Sequence, residues 1–223
     1  FRVIPDLLPI PTMLNVMGST GITAYYGLIE LGKPKTGEIV LVSGAAGATG
    51  SVAVQIAKLK GCHVIGIAGG KEKCDWLKNA GADDVIDYKN SDVHEELQKV
   101  AKNGIDIYFD NVGGKILETV LEIININARI LLCGGISSGY DAIRPDDGPN
   151  NLFSLIFKRA TMQGFLVLDY LPKSQKALEE IATWVLEGKL QHREDIQEGI
   201  ENCPKTLNRL FTGENKGKQL LKI

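Results

Sequence analysis

The chain has 223 residues, 44% of them hydrophobic and 23% charged, an ordinary globular profile with room for one large domain or one domain and part of another. A net charge of −2 excludes the electrostatic footprint of a nucleic-acid binder or of a protein held on an anionic membrane. No apolar run is long enough to span a bilayer. Cys62, Cys74, Cys133 and Cys203 are scattered without a C-x-x-C pair, which argues against a zinc or other metal site and reads as reduced thiols in a cytoplasmic protein. His63, His94 and His192 stand alone, as surface or strand-edge residues do.

Residues 1–18 read as irregular, with Pro5, Pro9 and Pro11 closely spaced, like a linker rather than the start of a domain. Ser19 or Thr20 can cap a helix running to about Leu31, with Ile22, Tyr25, Tyr26 and Ile29 on one side. Gly32 and Pro34 end it. Ile39 to Val42 is a β-branched apolar run suited to a strand buried on both faces. A small-residue turn follows, Ser43 to Gly50, and then a helix with Val52, Ile56 and Leu59 at helical spacing.

Strand, tight turn and helix form the layout that receives a dinucleotide pyrophosphate, because backbone N–H groups approach the phosphates and the helix N-terminus faces their charge. Against G-x-G-x-x-G, Ala45 stands in the first place and Gly47 and Gly50 fill the other two. The same turn also occurs in purely structural strand–helix units.

Further strands are predicted at 63–68, 85–88, 105–110, 128–133 and 161–167, alternating with helices at 72–79, 91–102, 114–122 and 151–158. A periodic helix at 172–187, a weaker strand near 193–197, a short helix from Cys203 to Phe211 and a strand from Gly217 to Ile223 complete the chain. The alternation predicts a doubly wound parallel sheet with helices on both faces. The Gly- and Pro-rich segment 134–151 is a long loop beyond a strand end, where ligand loops gather.

An acid about twenty residues past the glycines marks NAD-binding units, since it holds the adenosine ribose hydroxyls. Here the second strand ends Gly69-Gly70-Lys71-Glu72-Lys73, with no acid before Glu72. A lysine at that tip attracts a 2′-phosphate, so the cofactor reads as NADP(H), with Lys71 and Lys73 both candidates. Alternatively both are solvated residues opening a helix.

Several segments occur in one order: Ala45 to Gly50, Gly70-Lys71-Glu72-Lys73, Asp87-Tyr88-Lys89, Asp110-Asn111-Val112-Gly113-Gly114, Cys133 to Ser137, Gln163 to Val167, and Gly213 to Lys218. Together they resemble the zinc-free medium-chain dehydrogenase/reductase superfamily, in its prostaglandin reductase and alkenal double-bond reductase branch. The resemblance implies a Rossmann domain over residues 19–212, preceded by an interdomain linker remnant at 1–18. It implies that residues 213–223 form a strand returning toward a GroES-like domain absent from this sequence, so that the chain would bind cofactor without efficient turnover.

For the site, the resemblance implies that Ala45, Ala46, Gly47, Ala48 and Gly50 line the pyrophosphate. It assigns Lys73, over Lys71, and Tyr88 to the 2′-phosphate and adenosine, Asn111 to the ribose, and Asn215 to the phosphates. Gly134, Gly135, Ile136 and Ser137 would pass near the nicotinamide, and Phe165, Leu166 and Val167 would turn backbone groups to its carboxamide. Tyr140, in a loop one residue longer than the family's usual spacing, would place the oxygen of an enone or alkenal substrate. The implied reaction sends hydride from NADPH to the β-carbon of an α,β-unsaturated carbonyl while an enolate develops on its oxygen. A quinone oxidoreductase and a nucleotide-binding module without turnover are the competing readings. The strand at 161–167 is expected at the sheet edge, pairing across a homodimer.

Overall fold

Each apolar strand is followed by a helix that carries the chain back to the sheet's other end, so successive strands pair in parallel. The computed structural model describes residues 8–138 and 148–223. Six strands form one sheet: β1 (Ile39–Val42), β2 (His63–Ala68), β3 (Asp84–Asp87), β4 (Ile105–Asp110), β5 (Ile124–Leu132) and β6 (Thr161–Gly164). Their order is β3-β2-β1-β4-β5-β6 and every pairing is parallel. The expected doubly wound, Rossmann-type sheet is therefore the observed one.

The strand interiors show why helices cover both faces. Val40, Val42, Ile107 and Phe109 point into one apolar cluster, while Leu41 and Tyr108 point into the other, all fully buried. This is the period-two alternation of a pleated strand with oil on each side. The first cluster takes Val52 and Ile56 of α3 (Ala48–Leu59), Leu77 of α4 (Lys71–Asn79) and Ile181 of α8 (Gln175–Leu186). The second takes Leu97 of α5 (Val93–Val100) and Leu117, Val120 and Leu121 of α6 (Gly114–Ile123).

Chain order runs outward from β1 to β3, then crosses to β4 on the other flank of β1. Connections leaving the carboxyl ends of β1 and β4 therefore diverge, and a crevice opens between them.

Three expectations change. Residues 10–14 are not irregular: they form α1 (Ile10–Leu14), and Val16 and Met17 are buried in the core. Apolar contact, not local propensity, orders this Pro-rich stretch; Asn15 Nδ2 also donates to Arg193 O and Glu194 Oε1 at 3.2 and 2.8 Å. The helix from Ser19 is α-helical only to Tyr25 (α2) and continues as a π-helical segment, Tyr26–Gly32, ending at a left-handed Lys33 with φ of 47°. The strand expected over 161–167 stops at Gly164, because Phe165 turns inward against Phe109, and a 3₁₀ turn begins at Val167.

The chain ends in a second, two-stranded parallel sheet. β7 (Glu194–Glu198) pairs with β8 (Lys218–Lys222), with α9 (Cys203–Thr212) between them. Gln55 of α3 clamps its approach: Nε2 donates to Gln191 O at 2.8 Å and Oε1 accepts from Gln191 N at 2.7 Å. Gly217 makes a lone parallel bridge to Gly47, so the small sheet touches the turn after β1.

Candidate active-site cleft

Polar groups that a helix or turn leaves unsatisfied seek a ligand. Three helices at the sheet's carboxyl edge begin on glycine without a side-chain cap: α3 on Gly47, α4 on Gly70 and α6 on Gly113. By contrast α5 is capped conventionally, Asp92 accepting from Glu95 N at 3.0 Å. Around the uncapped starts of α3 and α6 lies a cleft of about 690 Å³, within the ~300–1,000 Å³ typical of ligand sites.

The turn after β1 forms its floor. Gly44 has φ of 57°, which serves the tight turn as glycine does, and Ala45 N donates to Ile67 O at 2.9 Å. Ala46, Gly47, Ala48, Thr49 and Gly50 line the cleft, but Ala45 does not. Ala45 is fully buried beneath the turn, which corrects its expected place at the pyrophosphate. The glycine that takes the left-handed conformation in this turn is Gly44, one residue before Ala45.

Opposite this floor, the end of β4 is organised by one buried carboxylate. Oδ1 of Asp110 accepts from Ser43 Oγ at 2.8 Å, Tyr108 OH at 2.7 Å, and the backbone N–H groups of Val112 and Gly113 at 2.9 Å each. Its Oδ2 is buried with no hydrogen-bond partner among the described residues. Ser43 accepts in turn from Asn111 N at 2.9 Å, and Asn111 Nδ2 donates to Ser43 O at 2.7 Å. The network sets the turn 111–113 and holds the Asn111 side chain at the cleft wall. Burial, then the charge of Asp110, pushes the Tyr108 hydroxyl well above its ordinary range. The same two causes push the Cys133 thiol to about 12, leaving it no thiolate at neutral pH.

The structure separates the two candidate lysines. Lys71 is exposed and pairs with Asp75 one helical turn on. Lys73 is half-buried, lines the cleft and donates from Nζ to Gly213 O at 2.8 Å. Burial first, then the nearby Lys89 and Arg193, lowers its proton affinity, as expected of a cation gathered beside others. Tyr88 lines the same corner; a Cβ on Gly69 would lie 2.8 Å from its ring, so only glycine lets the ring pack there. Lys73 and Tyr88 thus converge.

Gly134, Ile136, Ser137 and Asn215 also line the cleft, with Gly135 inside the same turn. Asn215 Nδ2 donates to Gly217 O at 3.0 Å. Phe165, Leu166 and Val167 are not brought to it. Phe165 packs edge-on against Phe109 and Tyr170, Leu166 is exposed, and Val167 lies in the 3₁₀ turn. Tyr140 lies outside the described residues. Sequence reasoning missed Thr23, Thr49, Phe211, Lys218 and Gln219, which line the cleft from separate elements. Thr49 and Lys218 fall inside the segments Ala45 to Gly50 and Gly213 to Lys218 without being singled out, and Thr23, Phe211 and Gln219 sit in no local motif that marks them. Among the described residues no group of three His, Cys, Asp or Glu side chains could hold a metal ion, and no helix is long and apolar enough to cross a membrane.

Residues 48–185 match the family described as zinc-binding dehydrogenase. Prostaglandin reductase 1 of Oryctolagus cuniculus is 45% identical over 96% of this chain and 62% of its own length. The NADPH-dependent curcumin reductase of Escherichia coli is 42% identical over 94% of the chain and 62% of its own. The crystal structure of CurA from Vibrio vulnificus in complex with NADPH superposes with a TM-score of 0.89 at 44% identity, covering 95% of this chain and 64% of that one. The chain therefore spans less than two thirds of the length of these relatives.

Proposed function

The chain belongs to the zinc-binding dehydrogenase family of the medium-chain dehydrogenase/reductase superfamily, in the zinc-free prostaglandin reductase and alkenal reductase branch, and from that premise we propose that its cleft binds NADP(H). The observation that carries the reading is the convergence on one cleft of the uncapped glycine start of α3 at Gly47, the Asn111–Val112 turn that leads into α6, Lys73 and Tyr88.

The residues present fit the group. Backbone amides at the start of α3 would face the diphosphate, and Gly50 lets that helix start sit close on the Gly44–Ala45 backbone, where a Cβ would lie 2.3 Å from Gly44 O. The ammonium of Lys73 reads the 2′-phosphate beside the Tyr88 ring, and Asn111 meets the ribose near the nicotinamide. The 134–137 turn closes the wall beyond it.

The reaction we propose is reduction of the C=C bond of an α,β-unsaturated ketone or aldehyde. When bound, the nucleotide would supply hydride to the β-carbon, and a proton from solvent would complete the α-carbon as the enolate collapses. The protein's part is to orient the nucleotide and keep water from it. These residues form the cofactor wall, and we propose that they bind without efficient turnover.

Titration of this chain with NADPH, followed by nicotinamide fluorescence, tests the reading. Saturable binding is expected at micromolar concentration, with slow consumption when an enone or a quinone is added. No saturation by ~1 mM would remove the cofactor assignment; quick quinone reduction with no enone reduction would favour the quinone oxidoreductase reading.

We also propose a homodimer. β6 is an edge strand whose outer hydrogen-bonding groups are unpaired within the sheet. Beside it Phe153, Ile156 and Phe157, on and before α7 (Ser154–Lys158), together with Leu166 and Leu168, are each more than half exposed. Edge pairing across a two-fold would cover both features. Sedimentation should give a dimer that Phe157→Glu converts to monomer; a wild-type monomer at every concentration ends this idea.

A further inference from the structure

We propose that Lys218 is a second phosphate-reading cation of the cleft, and that it binds the diphosphate common to both nicotinamide dinucleotides. This rests on the reading of the cleft as the cofactor site and adds a residue to it.

Lys218 opens β8, is half-buried and lines the cleft. Among the described residues its ammonium has neither a hydrogen bond nor an anionic partner. The cations around it are all satisfied. Lys216 pairs with Glu72 at 2.8 Å, Arg193 with Glu72 at 3.3 Å, Arg209 with Asp195 at 2.7 Å, and Lys222 with Glu198 at 3.6 Å. Lys73 at least holds Gly213 O.

Burial alone depresses the proton affinity of Lys218, with no charge acting to restore it. A desolvated ammonium without a partner costs free energy, and the fold retains that cost at this position.

Geometry says which anion would repay it. Gly217, one residue earlier, bridges the backbone of Gly47 at the N-terminus of α3. Its position is rigid: φ is 78°, and a Cβ there would lie 2.4 Å from Arg193 O. Lys218 N donates to that same carbonyl at 2.9 Å. The lysine therefore starts its strand beside the phosphate turn, whereas Lys73 stands with Gly213 and Tyr88 at the adenosine end. The group reachable from the α3 start is a doubly charged diphosphate, which NADPH and NADH share.

The test titrates wild type, Lys218→Met, Lys218→Arg and Lys73→Met with NADPH and with NADH, alongside melting temperatures without nucleotide. Lys218→Met should weaken both nucleotides by the same factor, about tenfold or more, as loss of one charge-assisted hydrogen bond does. Lys218→Arg should recover most of that affinity. The nucleotide-free Lys218→Met protein should melt at or above the wild-type temperature, since an unpaired buried charge is gone.

Unchanged affinity for both nucleotides would overturn the proposal. So would a loss confined to NADPH, which would make Lys218 a 2′-phosphate reader, or a melting temperature that falls with the affinity. If wild type itself binds neither nucleotide, the cofactor reading fails first, and the two failures are told apart.

Discussion

Lys73→Met is expected to weaken NADPH by roughly 10- to 100-fold, the worth of one hydrogen bond to a charged group, while NADH stays within about threefold. The asymmetry follows from where the ammonium sits. It lines the cleft beside Tyr88, and among the described residues it faces no carboxylate at hydrogen-bond distance, only the Gly213 carbonyl. NADPH brings a dianion to that corner; NADH brings hydroxyls, to which an ammonium adds little.

The Gly213 bond supplies an internal control. If the substitution acted by loosening the 213–217 segment, both nucleotides would suffer alike, and an equal loss would end the 2′-phosphate assignment. The pH dependence has a definite sign. Lys73 must be protonated to bind phosphate, and its proton affinity is already lowered by burial, Lys89 and Arg193. The ratio of NADPH to NADH affinity should therefore decline with rising pH before an ordinary lysine titrates, because loss of the Lys218 proton acts on both nucleotides and loss of the Lys73 proton on NADPH alone.

Gly50→Ala is expected to destabilise the chain by about 1–3 kcal/mol, lowering its melting temperature by roughly 3–10 °C for a domain this size. Helix propensity argues the other way, since alanine is favoured over glycine by about 1 kcal/mol inside a helix. The contact decides. A Cβ at position 50 would lie 2.3 Å from Gly44 O and 2.9 Å from Ala45 Cα. Both are backbone atoms, so no side chain can swing away; the helix must lift off the turn. That motion displaces the amides that face the phosphates, and NADPH affinity should fall with stability. Gly148→Ala serves as control, because nothing lies within 4 Å of a Cβ there. A Gly50→Ala protein that melts with the wild type would mean that the close approach of helix and turn is not required.

The two experiments probe parts of the cleft that differed in how far the residues alone revealed them. The strand–turn–helix after Ile39 is local chemistry: β-branched residues, then small ones, then helical spacing, all within one stretch. It announced both the sheet and the tight turn at its centre. Even there, only the φ of Gly44 shows which small residue takes the left-handed conformation, and only burial shows that Ala45 lies beneath the turn. The lysine choice could not be read locally. Lys71 and Lys73 are two residues apart on one helix, and it takes the third dimension to show one paired with Asp75 and the other turned to Gly213.

Phe165 shows the limit in the other direction. Its run of apolar residues reads as strand to Val167, but a contact with Phe109, some fifty residues earlier, pulls it out of the ladder. Pro-rich residues 1–18 contain a helix for a similar reason: Val16 and Met17 find a core that the segment does not announce.

What the sequence determined by itself is the parallel α/β architecture and the strand–turn–helix at its centre, because those depend on periodicity and on neighbouring residues. What tertiary structure alone decided is which distant side chains share the cleft, Lys218 above all. Its meeting with Gly47 is made by a bridge between residues 170 positions apart, Gly47 and Gly217, and no local pattern records a contact closed by the packing of the whole chain.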